Sequence, residues 1–391
     1  MKPTYYAGAA FLATIIALGA GSVALQRRAT VEAASVQAPR FEVDPMWPKP
    51  LPNHWVIGSV IGVAVDANDH IWIIHRQGSL EPKEMSAASK PPGAECCAPA
   101  PPVLEFNEAG DLIGHWGGPG AGYDWPESNH GITVDYKGNV WIGGNGRPAP
   151  GTPAGQPPAS GYYNDNMILK FTQDGKFLMQ IGKSAKQTNS LETTRVGRTA
   201  DMVVDPATNE LYVADGYFNH RVAVFDADTG AFKRMWGAYG KPPTDEKITN
   251  DAKVLPQQFA NPVHGIRLTN DGRVVVSDRA NNRIQIFQKD GKFLKEFPVL
   301  RDSTAPGVTG STVFWPDKGQ TWWFTSDDPN GEIHILRASD GQVVGSFGRV
   351  GRGPGEFENL HNIAIDSKGN IYTAEVQGQR VQRFRNISGA P

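Results

Sequence analysis

The chain has 391 residues, enough for one large all-β domain or two ordinary ones. Its formal net charge is −2 and no basic run dominates, which argues against nucleic acid as a partner. Glycine (44) and proline (30) are abundant, which favours many short strands joined by turns over long helices.

Residues 1–26 stand apart from the rest. Lys2 precedes an apolar run from Tyr5 to about Leu25, and Ser22-Val23-Ala24 offers a small-x-small cleavage site. The segment reads as a secretory signal peptide or, uncleaved, as an N-terminal anchor, since the run is nearly long enough to span a bilayer. The protein is therefore expected to be exported, periplasmic or secreted, and to meet a membrane only through that anchor. Residues 27–40 read as a polar linker.

From residue 41 onward six segments repeat one pattern: a short apolar strand, a tight turn, a second apolar strand. They are Gly62–Asp66 into Ile71–Ile74, Gly131–Asp135 into Val140–Ile142, and Met202–Asp205 into Leu211–Ala214. Gly265–Thr269 into Val274–Val276 follows, then a degenerate Ser311–Trp315 into Thr321–Phe324, then Asn362–Asp366 into Ile371–Thr373. Third and fourth strands follow most pairs, as in Arg221–Phe225 with Phe232–Trp236, and Arg283–Phe287 with Phe293–Phe297. Four antiparallel strands per unit, repeated radially, make a propeller. The pattern resembles the NHL repeat and implies an all-β, six-bladed β-propeller over residues 41–391. The last unit stops after Val381–Phe384, so the spare stretch Phe41–Asp44 is expected to supply its fourth strand and close the ring. The two cysteines, Cys96 and Cys97, are adjacent in a Pro/Ala-rich loop, where a vicinal disulfide would act as a local clamp.

The turns between first and second strands are short throughout, whereas the long insertions (77–102, 146–163, 183–198 and 238–258) follow a second strand or precede a first. Strand alternation puts all four on one face, where binding and catalytic residues concentrate. At the position leading into each innermost strand the six units carry Ile61, His130, Ala200, His264, Ser311 and His361. Histidine thus occupies alternate blades, about 120° apart in a six-fold ring, so three imidazoles should converge at the channel mouth. Neutral imidazoles suit zinc or a related divalent metal, and three protein ligands leave an open position for chemistry. Arg76, Tyr217 and Arg279 end second strands at the same mouth, where they would hold an anionic substrate and move a proton. His75 is a candidate supporting group, and the other five histidines read as structural or solvated.

These motifs resemble the peptidyl-α-hydroxyglycine α-amidating lyase family across most of the propeller. His130 in His-Gly-Ile-Thr-Val-Asp, His264 in Pro-Val-His-Gly-Ile and His361 in Leu-His-Asn-Ile match its zinc ligands. Arg76 in Ile-Ile-His-Arg, Tyr217 in Asp-Gly-Tyr-Phe-Asn-His-Arg and Arg279 in Asp-Arg-Ala-Asn-Asn-Arg match its catalytic groups. The resemblance implies cleavage of a carbinolamide into an amide and glyoxylate. Tyr217 would be the base, its pKa lowered by nearby positive charge, and the two arginines would bind a carboxylate on a peptide or small molecule. It also implies a structural calcium held by the carbonyls of Val63 and Ile132 and by an acid, replaced here by Asn362. Phe218 stands where animal members of the family have a cysteine. Two other readings stay open: a non-catalytic propeller that binds protein or peptide ligands, and a metal-dependent lactonase or esterase.

Overall fold

The computed structural model describes residues 37–146, 165–183, 188–246, 256–301, 303 and 307–391. The expected signal or anchor segment, most of the linker, most of the 146–163 insertion and parts of two others lie outside these residues. Among these residues six antiparallel four-stranded sheets account for nearly all the regular structure, and five of them add strands outward in chain order. The innermost strands are Ser59–Val65, Asn129–Val134, Thr199–Asp205, Val263–Leu268, Thr312–Phe314 and Leu360–Ile365. The second strands are Ile71–Arg76, Val140–Gly144, Glu210–Asp215, Val274–Asp278, Trp322–Asp327 and Ile371–Glu375. In the last blade Phe41–Asp44 pairs with Arg380–Asn386 from Phe41↔Asn386 to Asp44↔Arg383, so the N-terminal strand closes the ring. The compact unit begins at Arg40, one residue inside the expected linker, because its carbonyl accepts the Ile387 N–H at 2.9 Å. A two-residue parallel pairing of Trp55–Val56 with Ala98–Pro99 was not expected from sequence. It ties down the loop that carries the Cys96–Cys97 disulfide. Among the described residues no helix is long and apolar enough to cross a membrane.

The tight turns that close the inner hairpins are built by one device. Asp66, Asp135 and Asp366 each directly follow an inner strand, and one carboxylate oxygen of each accepts two backbone N–H groups of the turn. The other oxygen accepts Trp72 Nε1, Trp141 Nε1 or the Tyr372 hydroxyl from the second strand. Aspartate suits such turns because its short side chain folds back onto the backbone two residues on. The cores are wedges between neighbouring blades. Tyr212 and Val224 of the third blade pack on Ile266, Val276 and Phe287 of the fourth, and Trp72 and Ile74 of the first on Ile132 and Phe171 of the second. Each large apolar side chain buried in this way contributes about 1.5–3 kcal/mol, so the wedges hold the blades at fixed angles about the channel.

Inner-strand register positions the site. In five blades it slips by one residue, between Val60 and Gly62, His130 and Ile132, Thr199 and Asp201, Val263 and Gly265, and Leu360 and Asn362. These are β-bulges, which bend a strand and re-aim a side chain.

Candidate metal centre

The three register histidines lie at these bulges, are almost fully buried, and meet at one end of the channel. His361 Nε2 is 3.1 Å from both His130 Nε2 and His264 Nε2. Each Nδ1 faces a backbone carbonyl on the next blade: His130 to Ala200 at 2.8 Å, His264 to Gly310 at 2.7 Å, and His361 to Ile61 at 2.7 Å. A carbonyl can only accept, so each Nδ1 carries the proton and each Nε2 turns a bare lone pair toward the other two. Burial and the neighbouring imidazoles and arginines hold all three pKa values down, His361 to about 3, so the rings are neutral near pH 7.

Three lone pairs converging in a buried space repel one another unless a cation or a proton sits between them. Zinc–nitrogen bonds of about 2.0–2.1 Å in a tetrahedron put ligand atoms about 3.3 Å apart, close to the separations here. The Tyr217 hydroxyl lies 2.9, 3.0 and 3.4 Å from the Nε2 atoms of His130, His264 and His361, near the fourth corner. The residues present therefore fit a tetrahedral divalent metal. The second His/Asp/Glu cluster among the described residues, Asp66 with His70 and Glu105, lies at the opposite end of its blade. There Asp66 is committed to its turn and to Trp72.

Calcium at the depth of Val63, Ile132 and Asn362 fits less well. Asn362 Oδ1 accepts the Val63 N–H at 3.3 Å and brings no charge. Asp201 occupies the equivalent register in the third blade, but it pairs with the Arg267 guanidinium and accepts the Ile266 N–H. The buried carboxylate is thus already balanced by a side-chain cation.

Tyr217 follows Gly216, whose backbone runs so close to Val263 that a Cβ has no room. The close approach brings the phenol over the histidines. The expected depression of its pKa is corrected: burial outweighs Arg279 and Arg76 and pushes the phenol up. Arg76 donates through Nε and Nη2 to the Asn129 carbonyl at 3.2 Å and through Nη2 to Asn145 Oδ1 at 2.8 Å. Arg279 donates through Nη2 to Asp328 Oδ2 at 3.1 Å, and Asn359 Nδ2 donates to the other oxygen of Asp328. Asp278, beside Arg279 in sequence, pairs instead with Arg283, as Asp215 does with Arg221. This structural pairing leaves Arg279 to face the mouth.

A cavity of about 370 Å³ opens onto two of the three histidines and is lined by Arg76, His130, Tyr217, Arg279 and His361 together with Asn145, Arg198 and Asn359. Sequence reasoning missed the last three, and Asp328 with them. Asn145 follows its second strand at the register of Arg76 and Arg279, so the repeat alignment points to it, whereas Asp328 lies one position further on in the degenerate fifth unit. His75 does not touch the centre. Its Nδ1 accepts the Gly58 N–H and its Nε2 donates to the Pro101 carbonyl, which fixes first-blade loops. His334 binds Asp327 at 2.7 Å, His220 the Phe259 carbonyl at 3.0 Å and His70 Glu105 at 2.8 Å, and all three are structural. The His115 ring packs on Trp55, and the His54 carbonyl accepts the Ala98 N–H.

Fold and site define a six-bladed β-propeller with an open three-histidine centre at one channel mouth. Residues 263–287 match the NHL repeat family. It is similar to the peptidyl-glycine alpha-amidating monooxygenase B of Xenopus laevis, 27% identical over 263 residues. That match spans 65% of this chain but only about a quarter (26%) of the relative. Over nearly full length it is similar to NHL repeat-containing protein 3 of Mus musculus, at 24% identity with 97% of this chain and 94% of the relative covered. The probable peptidyl-alpha-hydroxyglycine alpha-amidating lyase pgal-1 of Caenorhabditis elegans is 24% identical over 84% of this chain and 83% of its own length.

Proposed function

We propose that this protein is a metal-dependent lyase that cleaves a carbinolamide, R–CO–NH–CH(OH)–COO⁻, or a related small carbonyl-derived substrate bearing a carboxylate. One observation carries the reading: three bare imidazole nitrogens converge under a phenol, beside a cavity of about 370 Å³ that His130, His361, Tyr217 and the guanidinium groups of Arg76 and Arg279 line. The lyase names among its relatives support it. His130, His264 and His361 would hold zinc or another divalent transition metal, which when bound supplies Lewis acidity toward substrate oxygen.

The protein's own groups do the rest. Arg76 and Arg279 bind the carboxylate, since planar guanidinium groups match it in bidentate fashion. Tyr217 takes the hydroxyl proton, the C–O bond becomes a carbonyl, and the C–N bond breaks with its electron pair on nitrogen. Nitrogen then takes a proton, giving the primary amide and glyoxylate with no other reactant. Burial raises the phenol's pKa in the free protein, whereas Arg279, Arg76 and a bound cation would favour the phenolate that accepts the hydroxyl proton. Export is part of the same proposal, since a Cys96–Cys97 disulfide persists in an oxidising compartment.

Metal analysis and glyoxylate release from α-hydroxyhippurate test the proposal together. One divalent transition metal per chain and metal-dependent glyoxylate release are expected. Protein purified without chelator that holds no such metal, and gains no activity when zinc, iron, copper or manganese is added, would overturn it.

A further inference from the structure

We propose that Asn145 is a positioning residue: across the seam between the first two blades it fixes the plane of the Arg76 guanidinium, so that Arg76 meets the substrate carboxylate. The assignment rests on the lyase reading above for the task of Arg76.

The second blade departs from its neighbours at the end of its second strand. In the third, fourth and sixth blades that strand ends on an acid, Asp215, Asp278 or Glu375. Each carboxylate accepts an N–H from the loop entering its own inner strand, from Gly197, Ala260 and Glu358 respectively. In the second blade the strand ends on Gly144, and Asp165, just ahead of the third strand (Met167–Phe171), brings the carboxylate instead. Its oxygens accept the Glu127 and Ser128 N–H groups at 2.8 and 2.9 Å. They also reach past the strand end to the Gly146 N–H at 2.6 Å. The exchange requires glycine, because a Cβ at Gly144 would lie 2.8 Å from the Asp165 side chain.

Asn145 is thereby held from both sides. Its N–H donates to the Ser128 carbonyl at 2.9 Å, and the Ser128 hydroxyl donates to its Oδ1 at 2.8 Å. The same Oδ1 accepts Arg76 Nη2 at 2.8 Å. Arg76 also forks onto the Asn129 carbonyl through Nε and Nη2, both at 3.2 Å. One acceptor at a fork lets a planar guanidinium tilt about it, and a second acceptor at Nη2 fixes the plane. Carboxylate recognition depends on that plane, since the match is bidentate. An amide oxygen supplies the acceptor without itself placing a charge in the cavity that Asn145 lines beside Arg76. The ring position that carries Arg76 in the first blade and Arg279 in the fourth thus carries a support for Arg76 in the second.

The test is binding of hippurate, which has the carboxylate but no hydroxyl to deprotonate, measured by calorimetry on the metal-loaded protein. Turnover alone would mix two effects, because the Asn145 amide also faces the Tyr217 hydroxyl. Asn145→Ala should weaken hippurate about tenfold, the worth of one charge-assisted hydrogen bond. In an Arg76→Met background the same change should cost less than about twofold, the non-additivity of a residue that acts through another. Ser128→Ala removes one hydrogen bond to Oδ1 and is the milder probe, expected to weaken binding about threefold and again only with Arg76 in place. Unchanged binding in Asn145→Ala, or an equal loss with and without Arg76, would overturn the assignment. If Asn145→Ala does not fold, Ser128→Ala decides by the same criterion. A wild type that binds hippurate no better than Arg76→Met also overturns it, since Arg76 then meets no carboxylate. If α-hydroxyhippurate is not turned over yet the coupling to Arg76 is present, the lyase reading falls and Asn145 keeps its role.

Discussion

The His361 imidazole donates its Nδ1 proton to the Ile61 carbonyl at 2.7 Å, across the seam between the last blade and the first. The same relation recurs from His130 to Ala200 and from His264 to Gly310, so blades without a histidine at this register fix the tautomer of blades that have one. All three Nε2 lone pairs are thereby committed to the channel. Substituting His361 by Gln keeps a polar side chain but removes the imidazole donor. The variant should lose at least a hundredfold in zinc affinity, and chelator should lower the Tm of the wild type but not of the variant. Competition with a chromogenic chelator and thermal melts would check this; unchanged affinity would remove His361 from the ligand set.

The Tyr217 hydroxyl touches all three imidazoles. Tyr217→Phe preserves the buried ring and its packing on the histidines. Turnover should fall by about a hundredfold or more, the usual worth of a positioned general base, while metal content stays at the wild-type level. Parallel activity and metal assays decide between roles. If metal is lost together with activity, the hydroxyl acts as a fourth ligand rather than as the base.

Asp328 holds Arg279 without reaching the cavity itself. Asp328→Asn keeps the volume and the contact with Asn359 but drops the charge that pairs with Arg279. KM for a carboxylate substrate should change several-fold with kcat less affected, because the guanidinium is left less well oriented rather than removed. Steady-state kinetics give the split directly, and a pure kcat effect would show that Arg279 acts in the chemical step instead of in binding.

The propeller was legible because its signals repeat. Apolar alternation and Asp/Gly turns recur six times, and the absent outer strand of the last unit matches the spare Phe41–Asp44. The histidine triad was legible for the same reason, since a position that repeats in every blade can be compared around the ring. The bulges were not legible. One extra residue in a strand leaves the apolar pattern intact, and only the pairing partner reveals the slip. The sign of the Tyr217 shift was also missed, because sequence shows the arginines but not how deeply the phenol is buried. Asp328 belongs to the degenerate fifth unit, where Trp-rich strands hide the register.

His75 sets a pH dependence independent of the metal. Its two ring nitrogens are both used by the neutral form, and burial lowers its pKa from 6.5 to about 4. The unfolded chain therefore takes up the proton first as pH falls. The stabilisation is complete above about pH 6.5 and is lost progressively toward pH 4, up to ~3 kcal/mol. Urea unfolding of metal-free protein should show this slope, and His75→Gln, which can accept from Gly58 and donate to Pro101 without titrating, should flatten it. An equal slope in the variant would assign the acid sensitivity to other groups.

Ring closure depends on four residues that lie more than three hundred positions from their partners. Phe41 stacks on Phe347 with centroids 4.7 Å apart and sets its edge against Phe324 at 5.4 Å, so it fills the wedge between the fifth and sixth blades. Asp44 pairs with Arg383, whose guanidinium holds the carboxyl below its usual range. Phe41→Ala should cost ~2 kcal/mol, at the low end for a large aromatic because the ring is only half-buried. A chain beginning at residue 45 loses the whole strand and bares the outer backbone groups of Arg380–Asn386. Amide hydrogen exchange should then rise first in that strand and next in Ile371–Glu375, while the third and fourth blades stay protected. Metal affinity should fall as well, since His361 is carried by the same blade and reaches Ile61 across the seam. Uniform exchange in all six blades would mean that the wedges alone close the ring and that the N-terminal strand only covers an edge.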